Sequence, residues 1–327
     1  MRVLLSPSRN QIVRLNCTSG DLPRWFAAPI LSADPDLTIS RSLSDCVKAG
    51  LCGKPFSLAL IFHVGKLEAF LTVLPKQKMN VVSLHQWWPP ELLSSAKRLI
   101  YQRILHDSRI ILTYSYDDLL QLRERFPSSD VRWIGHYVDT SFFTPGTYEE
   151  KHGEFILCPG DHRRLENVVI AVAEALKIRV LRFTTDPNVL RYHREHNSEY
   201  VECLGNIPFS EVLNLYRSAK FVLNAVDDRY WPAGITTFCE ALSVNQSILT
   251  SGGHSCSGYQ LAGITPYHKI EDIADVSSWI TGARNILEIG SHCRFGNQPR
   301  NLALNYCSIQ KMTSTWRNII SDATPQI

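Results

Sequence analysis

Glu240 is the one carboxylate in GITTFCEALSVN, residues 234–245, a largely apolar segment that opens with a glycine and the pair Thr236 and Thr237. A helix start presents backbone N–H groups with no intrahelical partner and a partial positive charge. Gly234, Ile235, Thr236 and Thr237 can therefore hold a phosphate, with Glu240 about a turn and a half further in. That combination suits a nucleotide-sugar ligand. The competing structural reading is an ordinary helix start, with Thr as cap and Glu240 on a solvated face. The flanks favour the first reading. KFVLNAV (residues 220–226) and SILTS (247–251) read as strands, which makes the helix the crossover of a βαβ unit, and ligands in such sheets bind beyond the carboxyl ends of the strands. Asn245 stands where the helix must end in a left-handed residue, which Asn tolerates.

The elements that position this segment must fit a chain of 327 residues, long enough for two domains. A hydrophobic content of 44% and a charged content of 20% describe a globular protein, and no apolar run is long enough to span a membrane. The start, MRVLLSPSRNQIVRLN, has a short apolar stretch without a small-residue cleavage site and reads as a first strand, so the expected compartment is the cytosol. Nine cysteines form no C-x-x-C pair, and Cys158, Cys203 and Cys239 sit in apolar segments, the pattern of reduced thiols without a structural metal.

Charge is uneven. Residues 1–138 carry 17 Lys and Arg against 11 Asp and Glu, and the remainder 17 against 20. A basic first half is drawn to anionic surfaces, so an anionic or phosphorylated acceptor and a peripheral position at the inner membrane surface are both expectations. In ELLSSAKRLIYQRIL (residues 91–105), Lys97, Arg98 and Arg103 lie beside an apolar stripe, although an amphipathic helix packing its Leu and Ile inward explains the pattern more simply. A net charge of +3 without a clustered basic run excludes a nucleic-acid partner.

Apolar runs VLL near the start, SLALIF (57–62), VVSL (81–84) and RIILTY (109–114) alternate with segments of helical period, implying a mostly parallel sheet flanked by helices. A turn-rich connector follows at residues 137–154. The second half reads as strand FILCP, helix NVVIAVAEALK, strands RVLRFT and YVECLG, helix SEVLNLYRSA, strand KFVLNAV, the Glu240 helix, strand SILTS and a helical tail ending in the amphipathic SIQKMTSTWRNIISD (308–322). This alternation indicates a second doubly wound domain. The expected α/β organisation is a first Rossmann-like domain over 1–138, a connector at 139–153, a second Rossmann-like domain over 154–307 and a C-terminal helix over 308–327.

Four segments in this order resemble the GT-B glycosyltransferases, specifically the retaining, glycogen-synthase-like family four (glycosyl transferases group 1). WIGHYVDTSFFTPG is similar to the interdomain connector, CPGDHRRLENVVIAVAEAL to the phosphate loop and its helix, VECLGNIPFSEVLNLYRSAKFVLNAV to the run that carries the base-binding turn, and GITTFCEAL to the donor helix. The likeness covers about residues 80–320. It implies two Rossmann-like domains facing a central cleft, with the C-terminal helix crossing back to the first.

What the resemblance implies for individual residues is as follows. Arg163 or Arg164, after Gly160 of the phosphate loop, neutralises the donor pyrophosphate, a task suited to a planar bidentate guanidinium, while one of the two faces solvent. Gly234, Ile235, Thr236 and Thr237 hold phosphate, Glu240 accepts the ribose hydroxyls, and Asn206 and Ile207 lie against the base. His85, in VVSLHQWWPPE, stands where the family has the histidine that reaches the transferred sugar, although an isolated histidine is commonly structural. Trp87 and Trp88 beside it offer a stacking wall for an acceptor sugar, or packing residues.

Three departures from the family pattern stand out. Position 232 is Pro where the family often has a first Glu, with Asp227 or Asp228 as substitutes from the preceding loop. SPSRN (residues 6–10) replaces the Gly-Gly turn after the first strand, and the first domain is short. The resulting expectation is a retaining glycosyltransferase with a nucleotide-diphosphate-sugar donor, UDP or GDP, and a glycan, lipid-linked or small-molecule acceptor, working by front-face transfer with neither metal nor cofactor. A catalytically silent GT-B subunit and a GT-B sugar-nucleotide epimerase are the alternatives. The DPD at Asp34–Asp36 lacks the context of a metal-dependent transferase of the other fold.

Overall fold

A computed structural model describes residues 3–6, 58–61, 81–84, 94–106, 108–146, 153–161, 163–229, 232–263, 265–289 and 295–323. Packing divides them into two compact units, one reaching Gly135 and including the C-terminal helix, the other spanning His136–Ser308.

In the first unit, β1 (Val3–Ser6), β2 (Leu58–Ile61), β3 (Val81–Leu84), β4 (Ile110–Thr113) and β5 (Asp130–Trp133) form a parallel sheet in that order. Every residue of β4 is buried, as expected of a parallel strand covered on both faces. Helix α1 (Ser95–His106) turns Tyr101, Ile104 and Leu105 inward and leaves Arg98, Leu99 and Arg103 exposed. Helix α2 (Tyr116–Arg125) starts where Ser115 Oγ accepts the Asp118 N–H at 3.3 Å, with Asp117 and Asp118 in its first turn and Arg123 and Arg125 in its last, all complementing the helix dipole. β5 escapes an apolar-run search because its sequence is DVRW. Only Val131 is buried, and Arg132 reaches out to Asp130 and to Asp322, the latter at 2.7 Å.

The second unit carries six parallel strands in the order β11-β10-β9-β6-β7-β8. These are β6 (Phe155–Pro159), β7 (Arg179–Phe183), β8 (Val201–Leu204), β9 (Val222–Asn224), β10 (Ile248–Ser251) and β11 (His268–Ile270). Helices α3 (Glu166–Leu176), α4 (Pro187–His196), α5 (Phe209–Ser218), α6 (Ile235–Ser243) and α7 (Val276–Ile289) connect or cover them. The core packs Val168 and Val172 of α3 with Leu223, Leu249, Trp279 and Ile286. Asn245 adopts φ 58 just beyond α6, the left-handed ending that its residue type suggests.

Two elements correct the sequence expectation. A helix, α4, separates RVLRFT from YVECLG, where none was expected. It has few apolar residues, so its signal is the start alone: Asp186 accepts the Asn188 N–H at 2.8 Å and Pro187 occupies the first turn. The tail after β10 is also not wholly helical. A 3-10 turn (Ser257–Ala262) and β11 precede α7, and β11 reads HKI, too short and polar to register as an apolar run. Helix α8 (Gln298–Leu302) and a π turn (Ala303–Cys307) then lead to α9 (Ile309–Ala323), which belongs to the first unit and buries Met312, Trp316, Ile319 and Ile320.

Cys158, Cys239, Cys256 and Cys307 are free, buried thiols and Cys203 is free and half-buried. Among the described residues no helix is long and apolar enough to cross a membrane.

Because α4 depends on its cap, Asp186→Ala is expected to lower stability by about 1 kcal/mol in urea unfolding, and Asp186→Asn by much less.

Candidate functional site

The chain leaves β6 toward β7 and β8 on one side of the second sheet and leaves β9 toward β10 and β11 on the other, so the neighbouring carboxyl ends of β6 and β9 form its topological switch point. The two departing segments are tied together there. Arg164 and Val226 form an antiparallel bridge, the Leu165 N–H donates to the Ala225 carbonyl at 2.9 Å, and the Asp227 N–H donates to the Arg163 carbonyl at 2.9 Å. Helix α6 begins eight residues after Asp227.

Gly160 sits directly after β6 at φ +95, where a Cβ would lie 2.5 Å from Arg164 Nη2. Its missing side chain lets the Arg164 guanidinium fold beneath the loop. Arg164 is buried, donating from Nε to the Pro159 carbonyl at 2.8 Å and from Nη2 to Thr237 Oγ1 at 2.9 Å, and burial pulls its pKa down. Arg163, at φ 50, is the solvent-facing member of the pair: its side chain is 38% exposed and its Nη1 lies 3.7 Å from Asp227 Oδ2. Asp227 also receives both Arg229 Nε at 2.7 Å and Nη2 at 2.8 Å, and these hydrogen bonds hold its carboxyl below the usual range. Its neighbour Asp228 turns inward, accepting the Ser255 N–H at 3.1 Å and Oγ at 2.8 Å, with its pKa raised by burial. Of the two aspartates, only Asp227 is partly exposed; Pro232 is buried.

Gly234, at φ 75, starts α6 without a side-chain cap. A Cβ there would collide with Asn224, whose Nδ2 donates to the Gly234 carbonyl at 3.3 Å and to Thr250 Oγ1 at 2.9 Å. The first-turn N–H groups of Ile235, Thr236 and Thr237 have no acceptor within the helix and are oriented to receive an anion. The two threonines divide their tasks: Thr237 is buried against Arg164, whereas Thr236 is exposed, its Oγ1 3.2 Å from His136 Nε2. One turn on, Glu240 is half-buried and its Oε2 accepts the Tyr216 hydroxyl at 2.6 Å. Tyr216 is wholly buried, and burial together with the Glu240 carboxylate raises its phenol pKa well above the ordinary value.

Asn206 is exposed and Ile207 half-buried in the turn between β8 and α5; among the described residues no hydrogen bond joins them to α6 or to the Gly160 loop. His85, Trp87 and Trp88 lie outside the described residues. No group of three His, Cys, Asp or Glu side chains among the described residues is arranged to hold a metal.

Beneath the Gly160 loop lies a network that the sequence motifs did not single out. Arg182, with no exposed surface, donates from Nε to Glu166 Oε2 at 3.0 Å and from Nη2 to Glu166 Oε1 at 2.8 Å. Its Nη1 donates to the carbonyls of Gly160 at 2.7 Å, Phe183 at 2.8 Å and Cys158 at 3.3 Å. His193 of α4 places Nε2 2.8 Å from Glu166 Oε2. Burial alone would raise the Glu166 pKa, but hydrogen bonds from His193 and Arg182 and the Arg182 charge outweigh it and hold the carboxyl below its ordinary 4.5. The sequence signal for this network was an arginine inside the apolar strand RVLRF. For His136 it was a histidine in the connector, too ordinary a signal to weigh by itself.

No protein-family model matches the chain, and no curated protein sequence matches it. Solved structures do. HepE of Anabaena, in a structure described as a complex with UDP, superposes with a TM-score of 0.76 at 9% identity, over 98% of this chain and 99% of that one. Sucrose-phosphate synthase from Thermosynechococcus elongatus gives 0.72 at 12% identity, covering 98% of each chain. The chain has the GT-B fold. A glycosyltransferase from Rickettsia africae gives 0.69 at 13% identity, again over 98% of each chain. In this GT-B chain Gly160, Arg163, Gly234 and Glu240 all follow β6 or β9, the two strands that meet at the switch point of the second sheet.

Two outcomes follow from the buried network. Arg182→Met leaves Glu166 without its bidentate partner and is expected to cost about 3–5 kcal/mol in urea unfolding, a loss that Arg182→Lys does not restore because ammonium cannot reproduce the fork. Because the native pKa of Glu166 is depressed, the stability it contributes is complete above 4.5 and is lost as pH falls through the lower native value. Glu166→Gln should accordingly flatten the acid limb of a stability profile below that pH while leaving the slope near neutrality unchanged.

Proposed function

We propose that the protein is a retaining glycosyltransferase that moves a sugar from a nucleotide-diphosphate donor to an acceptor hydroxyl without a metal. One observation carries the reading: an uncapped helix start, an outward-facing arginine and a carboxylate fixed by Tyr216 stand on the segments that follow β6 and β9, at the switch point of a GT-B chain. The likeness to HepE of Anabaena, whose structures are described as complexes with UDP and with UDP-glucose, supports a uridine donor over GDP.

In this reading the diphosphate lies across the N–H groups of Ile235, Thr236 and Thr237, and Arg163 swings from Asp227 to the phosphate oxygens. These groups meet the negative charge that develops as the bond from sugar to phosphate breaks, stabilising the transition state more than the bound donor. Arg164 does not touch the donor; it braces Thr237 and the Pro159 carbonyl and so fixes the loop on which Arg163 stands. Glu240, held in place by the Tyr216 hydroxyl on Oε2, meets a ribose hydroxyl. Asn206 and Ile207 border the base. Acceptor attack comes from the face that the phosphate leaves, the departing oxygen taking the acceptor proton, so no carboxylate nucleophile is required. His85 would reach the transferred sugar and Trp87 and Trp88 the acceptor, which is a glycan, a lipid-linked or a small-molecule hydroxyl. The basic first unit suits an anionic acceptor or an anionic membrane surface.

The test is thermal unfolding of the chain against UDP, GDP, ADP, CDP and dTDP sugars without metal, a ligand at a hundred times its Kd stabilising by about 2.7 kcal/mol. A selective shift with a UDP sugar, followed by transfer with retained anomeric configuration, is the expected result. Binding without turnover would instead identify a silent subunit, turnover of donor without acceptor an epimerase, and no shift with any sugar would remove the donor site. Arg163→Ala and Glu240→Gln are each expected to weaken the donor by about ten- to a hundredfold, the loss of one charge-assisted contact, with little change in unliganded stability.

A further inference from the structure

At the other end of the second sheet, β11 is the edge strand and α7 runs beside it, close enough that a Cβ on Gly282 would lie 3.0 Å from Leu249 Cδ1 and 3.1 Å from Ile270 Cδ1. Between them lies a groove of about 750 Å³, within the size range of small-ligand sites. It is separated by β10 from the switch-point strands, and nothing in the proposed transfer reaction uses it.

Its two walls have different chemistry. The helix wall consists of Ser277, Ser278, Thr281, Gly282 and Asn285, the same stripe of α7 at successive turns, and contains hydroxyls, an amide and a glycine but no charge. Ser277 and Ser278 donate their hydroxyls to Asp275, which leaves their oxygens as acceptors. Thr281, Asn285 and Thr265, all exposed, keep side-chain donors and acceptors with no partner among the described residues. The opposite wall carries an aromatic end, Phe295 edge-on to His268 at 5.3 Å, and a charged end. There Lys269 is consumed by Glu271 at 2.8 Å, the pair lying against Gly252, while Asp272 accepts the Ala274 N–H at 3.0 Å. With Lys269 neutralised, the surplus charge of the groove and its rim is negative, from Asp272 and Asp275.

We propose that this groove is a second carbohydrate site, taking a neutral oligosaccharide. Uncharged hydroxyls and an amide in a row match successive sugar hydroxyls, which are both donors and acceptors. The Phe295 ring supplies an apolar surface for the C–H face of a pyranose, and the acidic rim repels phosphate and other anions. Such a site holds glycan independently of the donor crevice, so its occupancy does not depend on the reaction assigned there.

The test is titration calorimetry and saturation-transfer NMR of the full chain with maltotetraose, cellotetraose, laminaritetraose, chitotetraose and a heparin tetrasaccharide. At least one neutral tetrasaccharide should bind and the heparin fragment should not. Thr281→Arg, which projects a charged side chain across the groove from an exposed helix position, should weaken binding at least about tenfold, and Asn285→Lys does the same from a second exposed position. Nucleotide-sugar thermal shifts should be unchanged in both variants. Binding of none of the neutral tetrasaccharides, equal binding by wild type and both variants, or preference for heparin would overturn the site. Because the donor shift is read in the same samples, failure here is distinguishable from failure of the transferase reading.

Discussion

Arg182 places a guanidinium where water cannot reach it, and the structure around the crevice is arranged to satisfy its N–H groups. A buried charge is tolerated only when paired and fully hydrogen-bonded. Glu166 supplies both carboxylate oxygens, and the carbonyls of Cys158, Gly160 and Phe183 take the remaining fork. The consequence extends in two directions. Glu166 is the first residue of α3, so the ion pair pins the start of that helix to β7, and the Gly160 carbonyl is the first of the loop that carries Arg163 and Arg164. His193 then ties α4 to the same carboxylate. Three elements, β7, α3 and α4, thus meet beneath the Gly160 loop.

Above this base, adjacent residues of like type separate into supporting and outward-facing members. Arg164 is buried against Thr237 while Arg163 stands in solvent beside Asp227. Asp228 is held by Ser255 while Asp227 faces the arginines. Thr237 is an acceptor in the core and Thr236 is exposed beside His136. In each pair one side chain uses its hydrogen-bonding capacity inside the fold, and the other stays at least partly exposed. Preorganisation of this kind reduces what must be ordered when an anion arrives.

Much of this arrangement is legible in the chain. The strand and helix periods of the second half locate β6, α3, β7, β8, α5, β9, α6 and β10, because buried parallel strands read as continuous apolar runs and their crossovers as apolar stripes. Elements that lie at edges were not legible: α4, β5 and β11 bury too few side chains to impose a hydrophobic pattern, and only the Asp186–Pro187 start betrays α4. Asn245 was readable from residue type alone, since the left-handed conformation just beyond α6 restricts what can stand there, whereas the left-handed backbone of Gly234 at the start of α6 emerged only from the structure.

The sequence by itself determined the α/β alternation, the glycine-opened helix with Glu240 and the doubled arginine after Gly160, since these rest on local propensity and spacing. Tertiary structure alone decided which arginine faces outward, that Tyr216 is the partner of Glu240, that Asp227 rather than Asp228 stays partly exposed, and that Arg182 underlies the loop. The physical reason is that these depend on which strands neighbour one another. Tyr216 and Glu240 are 24 residues apart and Arg164 and Thr237 73 apart, and only the reversal of strand order between β6 and β9 brings such residues within hydrogen-bonding distance.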